Sequence, residues 1–279
     1  MYQKGVPIGN VGRWDLARQT ANVAGALFQV GVTFAASAAI REVTDEGSGS
    51  LVEPALYAFT IWALIFVLSL VYGAYQALPS NRENPLLRRI GWFTAGAFFC
   101  TGLWSIFVPE RQFVLAQAML IVILVSLAVA YVRLARAERG VLGAADRWLV
   151  ALPLGPFLGW ITAANAVSLT SEAVRLGLVK GGGAGEALLG STLLLLGGVL
   201  AAALVLVGKA GPAQGYLACA ATVLWALVAV VVNQYDDSIL TTGTALVTAV
   251  PIVLALLGRL PGVWPGRGNG TPTQPDVAA

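Results

Sequence analysis

Uninterrupted apolar runs of roughly 18 or more residues recur along this chain, and such a run has very few folds open to it. Each can cross ~30 Å of hydrocarbon at a rise of ~1.5 Å per residue. Eight are read, at about 19–40, 55–78, 90–108, 112–132, 148–170, 187–208, 214–234 and 238–258. In lipid, each backbone N–H and C=O needs a partner within its own helix or in a closed barrel, and none of these runs alternates like a strand. They are therefore helices. The composition agrees, with 57% hydrophobic and 11% charged residues and a mean hydropathy of +0.77. The expectation is an all-α integral protein of the cell membrane, a bundle of about eight transmembrane helices.

Charge tests the count. With the N-terminus inside and the spans alternating, only Arg41, Arg111, Arg175 and Lys180 of the 17 basic residues fall outside. The inner connections hold the rest, including Arg82, Arg88 and Arg89, then Arg133, Arg136, Arg139 and Arg147. This Lys/Arg bias sets orientation and places both termini in the cytoplasm. The chain then divides into a cytoplasmic segment 1–18, five spans in 19–170, an outer Gly-rich linker 171–186, three further spans in 187–260, and a Pro/Gly/Thr-rich tail 261–279 expected to be disordered. The basic start, the run 23–34 and Ala36-Ser37-Ala38 also resemble a cleavable signal peptide, but the run is long for one and is read as the first span.

Much chemistry is excluded. The chain has no histidine, so the commonest general base and transition-metal ligand are missing. Cys100 and Cys219 lie within spans as small hydrophobes, and the spans so bounded carry no Asp, Glu, Lys or Arg between their ends. The Gly-rich stretch after Lys180 lacks the Gly-Lys-Ser/Thr ending of a phosphate loop. The net charge of +3 comes from the inner connections, so no nucleic-acid partner is implied. No catalytic or metal-ligating set emerges.

Aromatic and amide side chains remain. Trp14, Trp92, Trp148 and Trp264 fall near the inner helix ends, as interfacial anchors do. Trp62, Trp104, Trp160 and Trp225 lie roughly 8–16 Å below the outer boundary, deeper than a belt. In the second span, Phe59, Trp62, Phe66, Ser69, Gly73 and Gln76 follow one helix face, whereas Tyr57 lies on another and is read as an anchor. Gln29, Thr101, Gln117, Asn165 and Asn233 supply polar groups at similar depths. Rings with a few polar groups describe a small-molecule site, although a ring-filled core is the plainer reading of any one tryptophan. Gly155, Gly159 and Ala163 form a small-residue stripe on the fifth span, expected to pack internally before serving a dimer.

Pro54-x4-Phe59-x2-Trp62-x3-Phe66, Trp104, and Pro156-Phe157-Leu158-Gly159-Trp160 resemble, in order, the motifs of the second, third and fifth helices of the TspO/MBR family. These are tryptophan-rich sensory proteins related to the translocator protein, or peripheral benzodiazepine receptor. Here Phe157 and Phe66 stand where the family has Tyr, and Thr101 and Ser168 where it has Asn. The resemblance covers about 19–170 and implies a five-helix bundle that binds porphyrins, sterols and aromatic drugs, commonly as a homodimer. The three later spans read as an enlargement.

The expected function is binding of a hydrophobic, aromatic or tetrapyrrole-like ligand in a sensory or regulatory role. Phe59, Trp62, Phe66, Trp104, Gln117, Phe157, Trp160, Asn165 and Trp225 form the expected site. The partners are the lipid bilayer and the small ligand; no cofactor is required, a bound porphyrin, lipid or sterol being what such a site takes. A facilitative transporter would open the same pocket to both sides, and a membrane enzyme would bring together outer acids such as Glu53, Glu110, Glu172 and Asp236.

Overall fold

A computed structural model describes residues 8–45, 50–137 and 142–258, so the expected disordered tail, Trp264 and Arg139 lie outside the described residues. The helices are α1 (Ile8–Ala35), α2 (Ser37–Asp45), α3 (Ile61–Ala77), α4 (Pro85–Phe107), α5 (Phe113–Ala135), α6 (Ala144–Asp146), α7 (Leu152–Arg175), α8 (Ala184–Gly208), α9 (Ala213–Gln234) and α10 (Ile239–Leu257), with no strand among the described residues. Seven helices are long and apolar enough to span a membrane, and α1 with α2 makes an eighth, bent by 62°. The protein is an all-helical, multi-pass membrane bundle.

Local signals explain several boundaries. Asn84 caps α4, its side chain accepting from the Leu86 and Leu87 amides at 2.9 and 3.2 Å, with Pro85 at the first helical position. Ser238 caps α10 by accepting from Thr241 N at 3.2 Å. A π-helical turn, Arg147–Ala151, leads into α7, where Pro153 and Pro156 have no N–H to offer a carbonyl one turn back.

Short connections make sequence neighbours antiparallel. Helix α4 packs between α1 and α5, and α7 packs against α3, α5, α8 and α9, while α10 closes on α8 and α9. α7 is the most buried of the spans. Its small stripe explains the position: a Cβ on Gly155 would lie 2.5 Å from the Gly215 carbonyl oxygen, and one on Gly159 2.5 Å from that of Cys219. Its two glycines thus form an internal seam between α7 and α9, while Ala163 borders open space. One core centres on Ile65, Ile123, Leu127 and Phe157, a second on Leu194, Val205, Val223 and Ile252.

The first span departs from expectation. It begins at Ile8, and its last expected residues turn away at Ala36 into α2. No proline or glycine marks the break, and the bonds Ala36 N to Val32 O, 2.8 Å, and Ile40 N to Ala36 O, 2.9 Å, carry the ladder around it. The early start also brings charge into the bundle, where none was expected. Asp15 and Arg18 are 5% and 1% exposed. Arg18 donates to the Gln76 side chain and to the backbone oxygens of Arg82 at 2.8 Å and Asn81 at 3.5 Å. Gln19 donates to Gln76 O at 2.6 Å and Leu78 O at 3.0 Å. These carbonyls, at and beyond the end of α3, are the acceptors a helix terminus leaves open. Asp15 accepts two bonds from Arg88, at 2.8 and 2.5 Å, so the buried charge is matched. Gly91 makes room, since a Cβ there would sit 2.7 Å from Arg18 Cδ. Beside it, Thr94 donates to Asn22 at 2.6 Å and Gln76 to the Tyr72 hydroxyl at 2.6 Å. This network closes the basic end of the bundle.

Candidate ligand-binding cavity

The opposite end is hollow. The loop at Pro54 runs into a 3-10 turn, Leu56–Thr60, anchored by the Ala55 amide to the Ala229 carbonyl at 2.9 Å. That turn carries Phe59, and the first turn of α3 carries Trp62. Trp104 stands on the last turn of α4, and Trp160 one turn beyond the proline in α7. The rings converge. Trp62 stacks on Trp104 with centroids 6.1 Å apart and planes 25° apart. Trp160 meets Trp62 edge-on at 6.3 Å and Phe59 edge-on at 5.6 Å.

These four rings border a cavity of about 770 Å³. Thr33 of α1, Ile40 of α2, Phe113 and Leu120 of α5, Leu194 of α8 and Ala226 of α9 supply parts of the remaining wall. Its charged residues are Arg41, Glu53, Glu172 and Arg175, all near the connections at this end. No residue of the Arg18 network borders it.

Five residues of the expected site do not line the cavity: Phe66, Phe157, Gln117, Asn165 and Trp225. Phe66 lies one turn along α3 and stacks on Trp62 at 5.3 Å. Phe157, 1% exposed, is packed between Phe98, parallel at 6.2 Å, and Trp62, at 6.2 Å. Both support the wall from behind. Gln117 donates to Asn165 at 3.1 Å, and Asn165 donates to Leu120 O at 3.2 Å and Ile161 O at 2.8 Å, so the donors of both amides are engaged between α5 and α7, while Gln117 Oε1 has no partner among the described residues. Trp225 faces outward, 39% exposed, against Tyr57 at 5.1 Å, and donates to Ala58 O at 3.3 Å. Among the other polar groups, Thr101 bonds Ala97 O, Asn233 bonds Glu53 O, and Gln29 is buried with its amide unpaired among the described residues.

Arg175 belongs to the wall although sequence reasoning counted it only as an outer charge, and Glu172, named there only for the enzyme reading, stands beside it. A signal was present: Trp160, Ala164, Val167, Ser171 and Arg175 continue one 4-3-4-4 face of α7. Glu110 and Asp236 do not join Glu53 and Glu172 at the cavity, so the four acids of the enzyme reading are not one cluster.

The model of the TSPO-like protein family matches residues 19–258. The chain belongs to the TSPO-like protein family. The match runs through α8–α10, so the three later spans of this TSPO-like chain fall within the family pattern. Their packing accords with that, because α8 and α9 complete the cavity wall. No curated protein and no solved structure matches the chain.

Proposed function

We propose that this TSPO-like protein binds a flat, hydrophobic molecule, aromatic or tetrapyrrole-like (a porphyrin, sterol or similar), in a sensory or regulatory role at the cell membrane. The observation that carries the reading is the Trp62–Trp104–Trp160 group beside an apolar hollow. Its volume lies within the roughly 300–1,000 Å³ of small-molecule sites. Two near-parallel indoles and one perpendicular to them offer a face and an edge to a flat guest. The position of the cavity favours a receptor over a transporter, since packed Ile65, Ile123 and Phe157 and then the Arg18 network lie between it and the basic end.

The test is protoporphyrin binding to the full chain in lipid nanodiscs, read by tryptophan quenching. Trp160→Ala is expected to weaken binding several-fold to tenfold, from a stacking contribution of about 1 kcal/mol. Trp92→Ala, 46% exposed at the basic end in the parent, is expected to leave it unchanged. Equal losses from both variants in folded protein would reduce the rings to core packing. Porphyrin flux across proteoliposomes would instead support transport.

A further inference from the structure

We propose that the cavity selects an amphiphile with an acidic head group, and that Arg175 holds that head group. This rests on the cavity being a ligand site and adds the chemical class of the ligand. Apolar rings occupy one part of the cavity, while its four charged residues gather at the end formed by α2, the loop before α3 and the last turn of α7. An occupant that satisfies both regions has an apolar body and one ionised end.

The sign of that end is read from the geometry in which Arg175 is held. Arg175 lies with its guanidinium carbon 4.0 Å from the centroid of Phe113, another wall residue, which holds the guanidinium against the cavity. Its nearest carboxylate is Glu172, whose Oε1 is 3.9 Å from Nε, too far for a hydrogen bond. No hydrogen bond from the guanidinium to a described residue is present, and the residue is exposed at this end of the cavity, so its two Nη groups are open to water or a ligand. A planar fork of donors, fixed by a ring and not bonded to protein, suits the two oxygens of a carboxylate or phosphate. Arg41 stands in the same wall and adds positive potential. Glu53 and Glu172 balance the formal charge, and the Glu172 carboxylate, 13% exposed, likewise makes no hydrogen bond among the described residues; the planar fork held on the Phe113 ring, and no excess of charge, supplies the selectivity.

The experiment uses the full chain in nanodiscs of zwitterionic lipid and three probes that share one flat body: 1-pyrenebutanoic acid, its methyl ester and 1-pyrenebutylamine. Affinities are referred to the probe concentration in the bilayer. The acid is expected to bind roughly tenfold more tightly than the ester, the size of a charge-assisted hydrogen-bonded pair. Arg175→Gln should remove that difference and leave the ester unchanged, and Arg175→Lys should restore part of it. Equal binding of acid and ester, tighter binding of the amine, or equal loss of acid and ester in Arg175→Gln would overturn the proposal. Failure of all three probes to bind would remove the aromatic-cavity reading itself. Competition by phosphatidylglycerol added to the nanodisc would identify bilayer lipid as the source of the acidic group, and its absence a separate amphiphile.

Discussion

Gly159 faces the backbone of Cys219 so closely that a Cβ at residue 159 would stand 2.5 Å from the Cys219 oxygen. Neither partner is the flexible end of a side chain, so contact is relieved only by moving helices. Gly159→Ala is expected to destabilise the protein by about 1–3 kcal/mol through overpacking, and Gly159→Leu by more. Thermal unfolding in detergent measures it; an unchanged Tm in Gly159→Leu would contradict a tight α7–α9 seam.

Ala163 lines the cavity one turn from Trp160. Ala163→Phe places a ring in existing space, so it should abolish pyrene or porphyrin binding while leaving Tm unchanged or slightly raised. Retained affinity would move the binding place away from the cavity.

Arg18→Met should cost about 3–5 kcal/mol, because it leaves Asp15 with one cation fewer nearby and strips a donor from the Asn81 and Arg82 carbonyls. Gly91→Ala should also destabilise the protein, by pressing on the Arg18 methylene groups. If chemical unfolding finds either variant as stable as the parent, the buried network contributes nothing to the fold.

Orientation is tested by labelling. Single cysteines at Asp45 and Asp237 are expected to react with an impermeant maleimide from outside, whereas cysteines at Glu83 and Gly143 stay protected until the membrane is opened. Labelling of residue 143 from outside would overturn the eight-span topology, because the arginine-rich connection before α7 is its firmest inner landmark.

The span count and the meeting of Trp62, Trp104 and Trp160 were legible because apolar length and depth along a helix depend on local sequence alone. The engagement of Gln117 with Asn165 was not, since it requires the rotation of α5 relative to α7, and two amides at similar depth read equally well as cavity groups. Trp225 was misplaced for the same reason: depth does not say which way a helix faces. Arg18 marked an apparent end to the first apolar run. Its helix continues because acceptors on the other side of a hairpin, Gln76, Asn81 and Arg82, meet its charge. The break at Ala36 has no proline or glycine to announce it.

Leu194, Ala226, Leu227 and Val230 close the cavity from α8 and α9, and both helices follow α3, α4 and α7 in the chain. During synthesis the tryptophan-bearing helices therefore enter the bilayer before their chamber has its final wall. Acyl chains would fill that side until α9 docked on the glycines of α7. Maturation of the chamber would then be an exchange of lipid for protein, and a chain truncated after residue 186 would present the same rings to the bilayer as an open groove.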